Sequence, residues 1–197
     1  FAPRLDPALP AADCALVIAP AQSADERALT PGEDSSNGLA VGEVHVMQRP
    51  RSYDVASAPD YRLSVTDGEF AELVGVDVPE IDLDSRAPVE VVLTWRAIGA
   101  ADLNYTVFVH LIGPDGAIWA QSDSQPAGGR APTMTWLAPE IIVDAHTLTL
   151  TEGAPEGRYD LNVGLYDAQR GARRKLYRDG VELVGDSVTI SRLTVGP

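Results

Sequence analysis

The chain has a single cysteine, Cys14, among 197 residues, so no intrachain disulfide can form and cysteine usage does not fix a redox compartment. A small buried hydrophobe is the expected role for that side chain. Basic residues are also scarce. Against 29 Asp and Glu stand 15 Lys and Arg, a net charge of −14. Nucleic acid is excluded as a partner on that balance, because such binding rests on neutralising phosphates. An acidic surface likewise disfavours anionic membranes. No apolar run approaches the roughly 18 residues of a membrane span, and no charged start precedes an apolar stretch and cleavage site. A chain that begins at Phe1 reads as a processed product or a piece of something longer. Catalytic signatures are missing as well. There is no Gly-x-Ser-x-Gly elbow, no phosphate-cradling glycine loop and no Cys–His pair in a catalytic context. Beyond the first 30 residues no helical period is persuasive.

What is present is a two-residue rhythm. In residues 89–96, Val89, Val91, Leu93 and Trp95 fall on one face, with Glu90, Thr94 and Arg96 opposite. That is a strand half-buried in a sheet. In residues 105–112 both faces are apolar, which places this strand in the middle of its sheet. The pair predicts the core of an antiparallel β-sandwich, jelly-roll or immunoglobulin-like. The 17 glycines and 15 prolines are spread along the chain as turn punctuation.

Residues 1–60 differ in texture. Pro3, Pro7, Pro10, Pro20 and Pro31 interrupt them and Gly32-Glu-Asp-Ser-Ser-Asn-Gly38 is a loop by composition. An extended, loop-rich lead-in that packs on a sandwich domain over 61–197 is expected. From Tyr61 strand signals recur. Residues 61–65 lead through Asp67-Gly68 into 70–78, where Phe70, Val74, Val76 and Val78 are expected to share a face. Gly113-Pro-Asp-Gly116 and Arg178-Asp-Gly180 mark hairpins. Between residues 139 and 150, Ile141 and Val143 are in one phase and Leu148 and Leu150 in the other, which predicts a bulge near 144–146. Eight or nine strands between turns give a sandwich. Tyr159, just after Pro155-Glu-Gly157, is expected to bond a backbone group across its corner.

With these pieces placed, a family resemblance emerges. It rests on Leu73-Val-Gly-Val-Asp77, Val91-Val-Leu-Thr-Trp95, Tyr105-Thr-Val-Phe-Val-His-Leu111, Pro114-Asp-Gly116 and Asp123-Ser124. Trp136, Glu140, Asp144-Ala-His-Thr-Leu148, Pro155-Glu-Gly-Arg-Tyr159 and Val163-Gly-Leu-Tyr-Asp167 complete the series. Over residues 70–195 this resembles the C-terminal extracytoplasmic β-sandwich of bacterial (Chloroflexi-like) membrane glycosyltransferases of the dolichyl-phosphate-mannose (GT-C) type. The resemblance implies a non-catalytic module outside the cytoplasm, joined to a membrane only through a parent segment absent from this sequence. It carries over no catalytic residue.

Candidate sites follow from residue chemistry. Trp119, two residues past a hairpin turn, and Trp136, after a Gly/Pro loop, are the tryptophans placed to stack on a sugar; Trp95 belongs to the core. Asp123, Asp144 and His146, with His110, are the polar set that the resemblance gathers. No close spacing in that set specifies a metal, and the bland expectation is that the aspartates cap loop amides while His146 bonds backbone at a bend. Asp77, Glu80, Asp82 and Asp84 are the one group with oxygen ligands for Ca²⁺, but they lack the Asp-x-Asp-x-Asp-Gly loop, and a solvated loop is expected. Arg170, Arg173, Arg174, Lys175 and Arg178 make a basic hairpin expected to face water and pair with carboxylates. Glu140 and Asp144 are paired carboxylates only in sequence. The expectation is therefore an accessory module that binds cell-surface glycan or protein. A purely structural or protein-interaction domain is the second reading and a glycan hydrolase using Glu140 the third.

Overall fold

A computed structural model describes residues 8, 12–18, 39–46, 49–78 and 87–195. Two compact units divide the chain, Phe1–Arg49 and Pro50–Pro197. In the first, strands β1 (Ala12–Ile18) and β2 (Leu39–Val46) pair antiparallel. Residues 50–60 belong with the second unit. There Ser52 bridges to Ile141, and the Arg51 guanidinium bonds Glu140 at 2.6 Å.

The second unit is an antiparallel β-sandwich. Its larger sheet runs β12 (Val181–Glu182), β11 (Tyr177–Arg178), β3 (Tyr61–Thr66), β4 (Ala71–Asp77), β5 (Val89–Ala97), β8 (Ile141–Leu148). The smaller runs β7 (Ile118–Ser124), β6 (Thr106–Ile112), β9 (Gly157–Asp167), with β10 (Ala172–Arg173) and β13 (Val188–Val195) both on the far side of β9. Among the described residues the only helical element is a 3₁₀ turn, Thr133–Thr135. The two strands read first from the sequence thus lie in opposite sheets. Val91, Leu93 and Trp95 from one meet Val107, Val109 and Leu111 from the other, in a core completed by Tyr159, Leu161, Val163 and Leu165 of β9. Burial of side chains this size stabilises by about 1.5–3 kcal/mol each, so the alternating rows are what hold the layers together.

Turn chemistry fixes the strand pairs. The Asp67 carboxylate accepts the amides of Glu69, Phe70 and Ala71 through one oxygen and Arg174 through the other. Gly116, at φ 79°, donates to Gly113 and closes the β6–β7 hairpin. Asp179 and Gly180, both at positive φ, form the two-residue loop of β11–β12, the geometry that matches strand twist. The Tyr159 hydroxyl donates to the Pro155 carbonyl at 2.7 Å, as the corner motif requires.

Two expectations about phase are corrected. No bulge occurs in β8: its pairing with β5 is unbroken from Val89↔Leu148 to Arg96↔Ile141. Ile142, Asp144, His146 and Leu148 all face the core, while Val143 is 58% exposed. The irregularity lies instead in β4, between Leu73 and Gly75. There Val74 turns away from the row that holds Leu73 and Val76. Gly75 permits this because the Pro59 ring fills the place of a side chain: a Cβ would lie 2.2 Å from its Cγ.

Candidate functional site: two histidine–aspartate clusters on one sheet

Directly paired residues in an antiparallel sheet point to the same side. Val109 is in the core, so its partner Ser122 also points inward; Phe108 pairs with Asp123, and both point outward. On the larger sheet Leu93 pairs with Asp144 and Val91 with His146, so these two polar residues face the sandwich interior. The four residues expected as one polar set are therefore separated. His110 with Asp123 lies outside the smaller sheet, and Asp144 with His146 lies between the sheets.

The outer cluster is built on a flat face. His110 Nε2 lies 2.9 Å from Asp123 Oδ1, and the Tyr166 hydroxyl donates to Asp123 Oδ2 at 3.1 Å. Burial, reinforced by the bond to Asp123, raises the Tyr166 pKa, so the phenol stays a donor at neutral pH. Phe108, two residues before His110 on β6 and on the same face, packs beside it, the rings 4.8 Å apart. Gly164 makes room for it, since a Cβ there would meet Phe108 Cζ at 2.4 Å. The Arg173 guanidinium covers the ring at 4.4 Å. Exposed Gln121 and half-buried Asn162 flank His110 by register.

The inner cluster is a continuous chain of hydrogen bonds. Asp144 is 0% exposed and His146 1%. Asp144 Oδ1 accepts the Ala127 amide at 2.8 Å, and Oδ2 lies 3.0 Å from His146 Nε2. The other ring nitrogen, Nδ1, is 3.1 Å from Ser122 Oγ. Asp144 therefore does cap a loop amide, but His146 bonds side chains rather than backbone, and Asp123 pairs with His110 and Tyr166 instead of capping.

The tryptophans divide in the same way. Trp136 is 2% exposed: the 3₁₀ turn before it tucks the indole beneath the loop, where Nε1 donates to the Ala131 carbonyl at 2.8 Å. Its ring contacts those of Phe70 and Trp95, so it is a core residue with no face turned to solvent. Trp119 is half-buried over Gly113, and its Nε1 donates to Asp115 at 3.0 Å. The β6–β7 register shifts at Trp119, between Ile118 and Ala120, and its half-buried ring packs against the edge of the core, apart from the outward row of Gln121 and Asp123.

Glu140 is also fully buried, with Arg51 and the Leu137 amide at its Oε2. The basic hairpin pairs with acids: Arg170 with Asp167, Arg174 with Asp67 and Glu69, Lys175 with Glu182. Glu80, Asp82 and Asp84 lie outside the described residues, while Asp77 accepts the Asp60 amide. Among the described residues no three His, Cys, Asp or Glu side chains converge as metal ligands. Nor, among those residues, is any helix long and apolar enough to cross a membrane.

Ser122 was missed in the sequence. Its signal was available: a serine on the inward row of one strand, in a fold whose neighbouring edge strand also places polar residues inward. Comparison with family models, curated proteins and solved structures gives no match for this chain.

Proposed function

We propose that this chain is an extracytoplasmic glycan-binding β-sandwich that accompanies a membrane glycosyltransferase, and that it binds through the outer face of its smaller sheet. The observation that carries this reading is Asp123. Its two oxygens are held by His110 and Tyr166 on the outer face of the sheet, where Asp123 is exposed and His110 is largely covered. A carboxylate oxygen has more than one acceptor position, so each can still take a sugar hydroxyl. Planar polar groups fixed in place recognise hydroxyls without the cost of ordering them on binding. Gln121 beside them supplies further hydrogen bonding, and the half-buried Trp119 near the end of the same strand supplies apolar contact. The setting beside a glycosyltransferase rests on the resemblance over residues 70–195. Trp136 is left out of the platform because its ring is enclosed. A hydrolase working through Glu140 is disfavoured by the burial of that carboxylate.

A glycan array followed by calorimetry tests the reading. Binding to a neutral glycan is expected, weakened at least about tenfold by Asp123→Ala, the loss of one charged hydrogen-bond partner. Trp119→Ala and Tyr166→Phe should weaken it less. A ligand bound equally well by all three variants would remove the outer face as the site. The wider setting is tested by the surrounding reading frame, which should encode membrane spans.

A protein-interaction reading draws on one observation, the exposure of Val181, beside the β11–β12 turn, and of Val184, just past the end of β12. It predicts a partner whose binding is lost in Val184→Ser and unaffected by Asp123→Ala.

A further inference from the structure

Strands β7 and β8 are the facing edges of the two sheets, and the seam between them is clasped at two points. At one end the Thr151 amide and hydroxyl both donate to the Trp119 carbonyl, at 2.9 and 3.0 Å. At the other the Ala127 amide donates to Asp144. Between these points Ser122, which is partly exposed, meets His146, which is not.

The Ala127 amide can only donate, and Asp144 Oδ1 accepts from it. In the arrangement with an ionised Asp144 and a neutral ring, the ring hydrogen of His146 sits on Nε2, towards Oδ2. Nδ1 then offers a lone pair, and the hydrogen that fills the 3.1 Å contact is that of Ser122 Oγ. A hydroxyl donating to an imidazole that is oriented by a carboxylate is the arrangement of an activated nucleophile. The nitrogens are used in the opposite order from the serine proteases, but the chemistry requires only that serine and carboxylate sit on different nitrogens of one ring.

We propose that Ser122 is a nucleophile for small acyl esters, with His146 as its base and Asp144 as the residue that positions His146. In the first step Ser122 Oγ forms a bond to the ester carbonyl carbon while its proton passes to His146 Nδ1. The carbon–oxygen bond to the alcohol then breaks, and the departing oxygen takes that proton. Water, deprotonated by the same nitrogen, attacks the acyl carbon; the bond to Ser122 Oγ breaks as that oxygen takes the proton back from Nδ1, giving carboxylic acid and free Ser122. The site is independent of glycan binding on the outer face, since Ser122 and Asp123 point to opposite sides of the sheet.

Treating the full chain with a fluorophosphonate probe, then peptide mapping, tests this. One adduct is expected, on Ser122, formed at least about 100-fold faster than on the urea-unfolded chain, the lower range of general-base assistance. p-Nitrophenyl acetate should be hydrolysed by the wild type and not by Ser122→Ala, which keeps the packing nearly intact. Asp144→Asn should slow labelling of the folded protein, and Asp144→Glu should recover part of that loss. An adduct elsewhere, no adduct, or equal rates for folded and unfolded chain would overturn the proposal, and none of these outcomes depends on a His146 variant folding.

Discussion

On the outside of the smaller sheet a histidine and an aspartate lie 2.9 Å apart within reach of solvent; between the sheets another such pair lies 3.0 Å apart with none. The residue types are the same, and what separates them is the side of the sheet. Outside, Asp123 is exposed although His110 beneath it is only 7% so, and water can replace bonds lost at the carboxylate, so Asp123 is free to exchange partners with a ligand. Inside, a lost partner leaves a buried polar group unsatisfied, at about 1–3 kcal/mol each. The inner set is therefore committed to the fold and to whatever its serine can do. Burial sorts chemically identical groups into support and surface.

Substituting like residues on the two sides sharpens that contrast, and the tryptophans should show it most strongly. Trp136→Ala removes a ring enclosed by Phe70 and Trp95 and should cost about 3–5 kcal/mol in urea unfolding. Trp119→Ala, at the surface end of β7, should cost much less. Equal losses would break the comparison. The tyrosines give a smaller effect. Tyr159→Phe deletes the corner bond to Pro155 and should cost about 1 kcal/mol, with Tyr166→Phe below it. Thermal unfolding by calorimetry checks the order.

The smallest effect is a pH dependence at the surface. The Trp119 indole N–H, then the Ala117 amide, hold the Asp115 carboxyl below its ordinary pKa. A carboxylate favoured in the folded state contributes stability above the unfolded value, near 4, and loses it as pH falls through the lower folded value. The Trp119 fluorescence change on acidification should therefore have its midpoint below pH about 4 and vanish in Asp115→Asn. A midpoint above the ordinary aspartate range would contradict the hydrogen bond.

Much of this architecture was legible in the residue pattern. Strands β5 and β6, the Pro-Asp-Gly turn and the Tyr159 corner follow from local chemistry, and the structure places them accordingly. What misled was any position where a polar group is buried in a matched set. In β8 the inward row carries Asp144 and His146, so hydrophobicity alternates in the wrong phase, and Val143 reads as core although it is exposed. Hydrogen bonding within the pair makes that inversion affordable, and the outside partners, Ser122 of the other sheet and the Ala127 loop amide, are out of reach of any local period. Trp136 misled for a related reason: a Gly/Pro-rich loop reads as surface, yet Thr133, donating to Leu103 and accepting from Tyr105, pins it over the core. The bulge of β4 depends on the Pro59 ring beside Gly75, a contact between segments that no strand pattern records.

The most direct test sets Asp144→Ala beside Asp123→Ala in equilibrium urea unfolding. Loss of Asp144 strands the Ala127 amide and the His146 ring nitrogen, and should cost about 3–5 kcal/mol. Loss of Asp123 opens the site to water at the Tyr166 hydroxyl and at the edge of the largely covered His110, and should cost about 1 kcal/mol. Comparable losses for the two variants would contradict the division of this sheet into a supporting side and an open one.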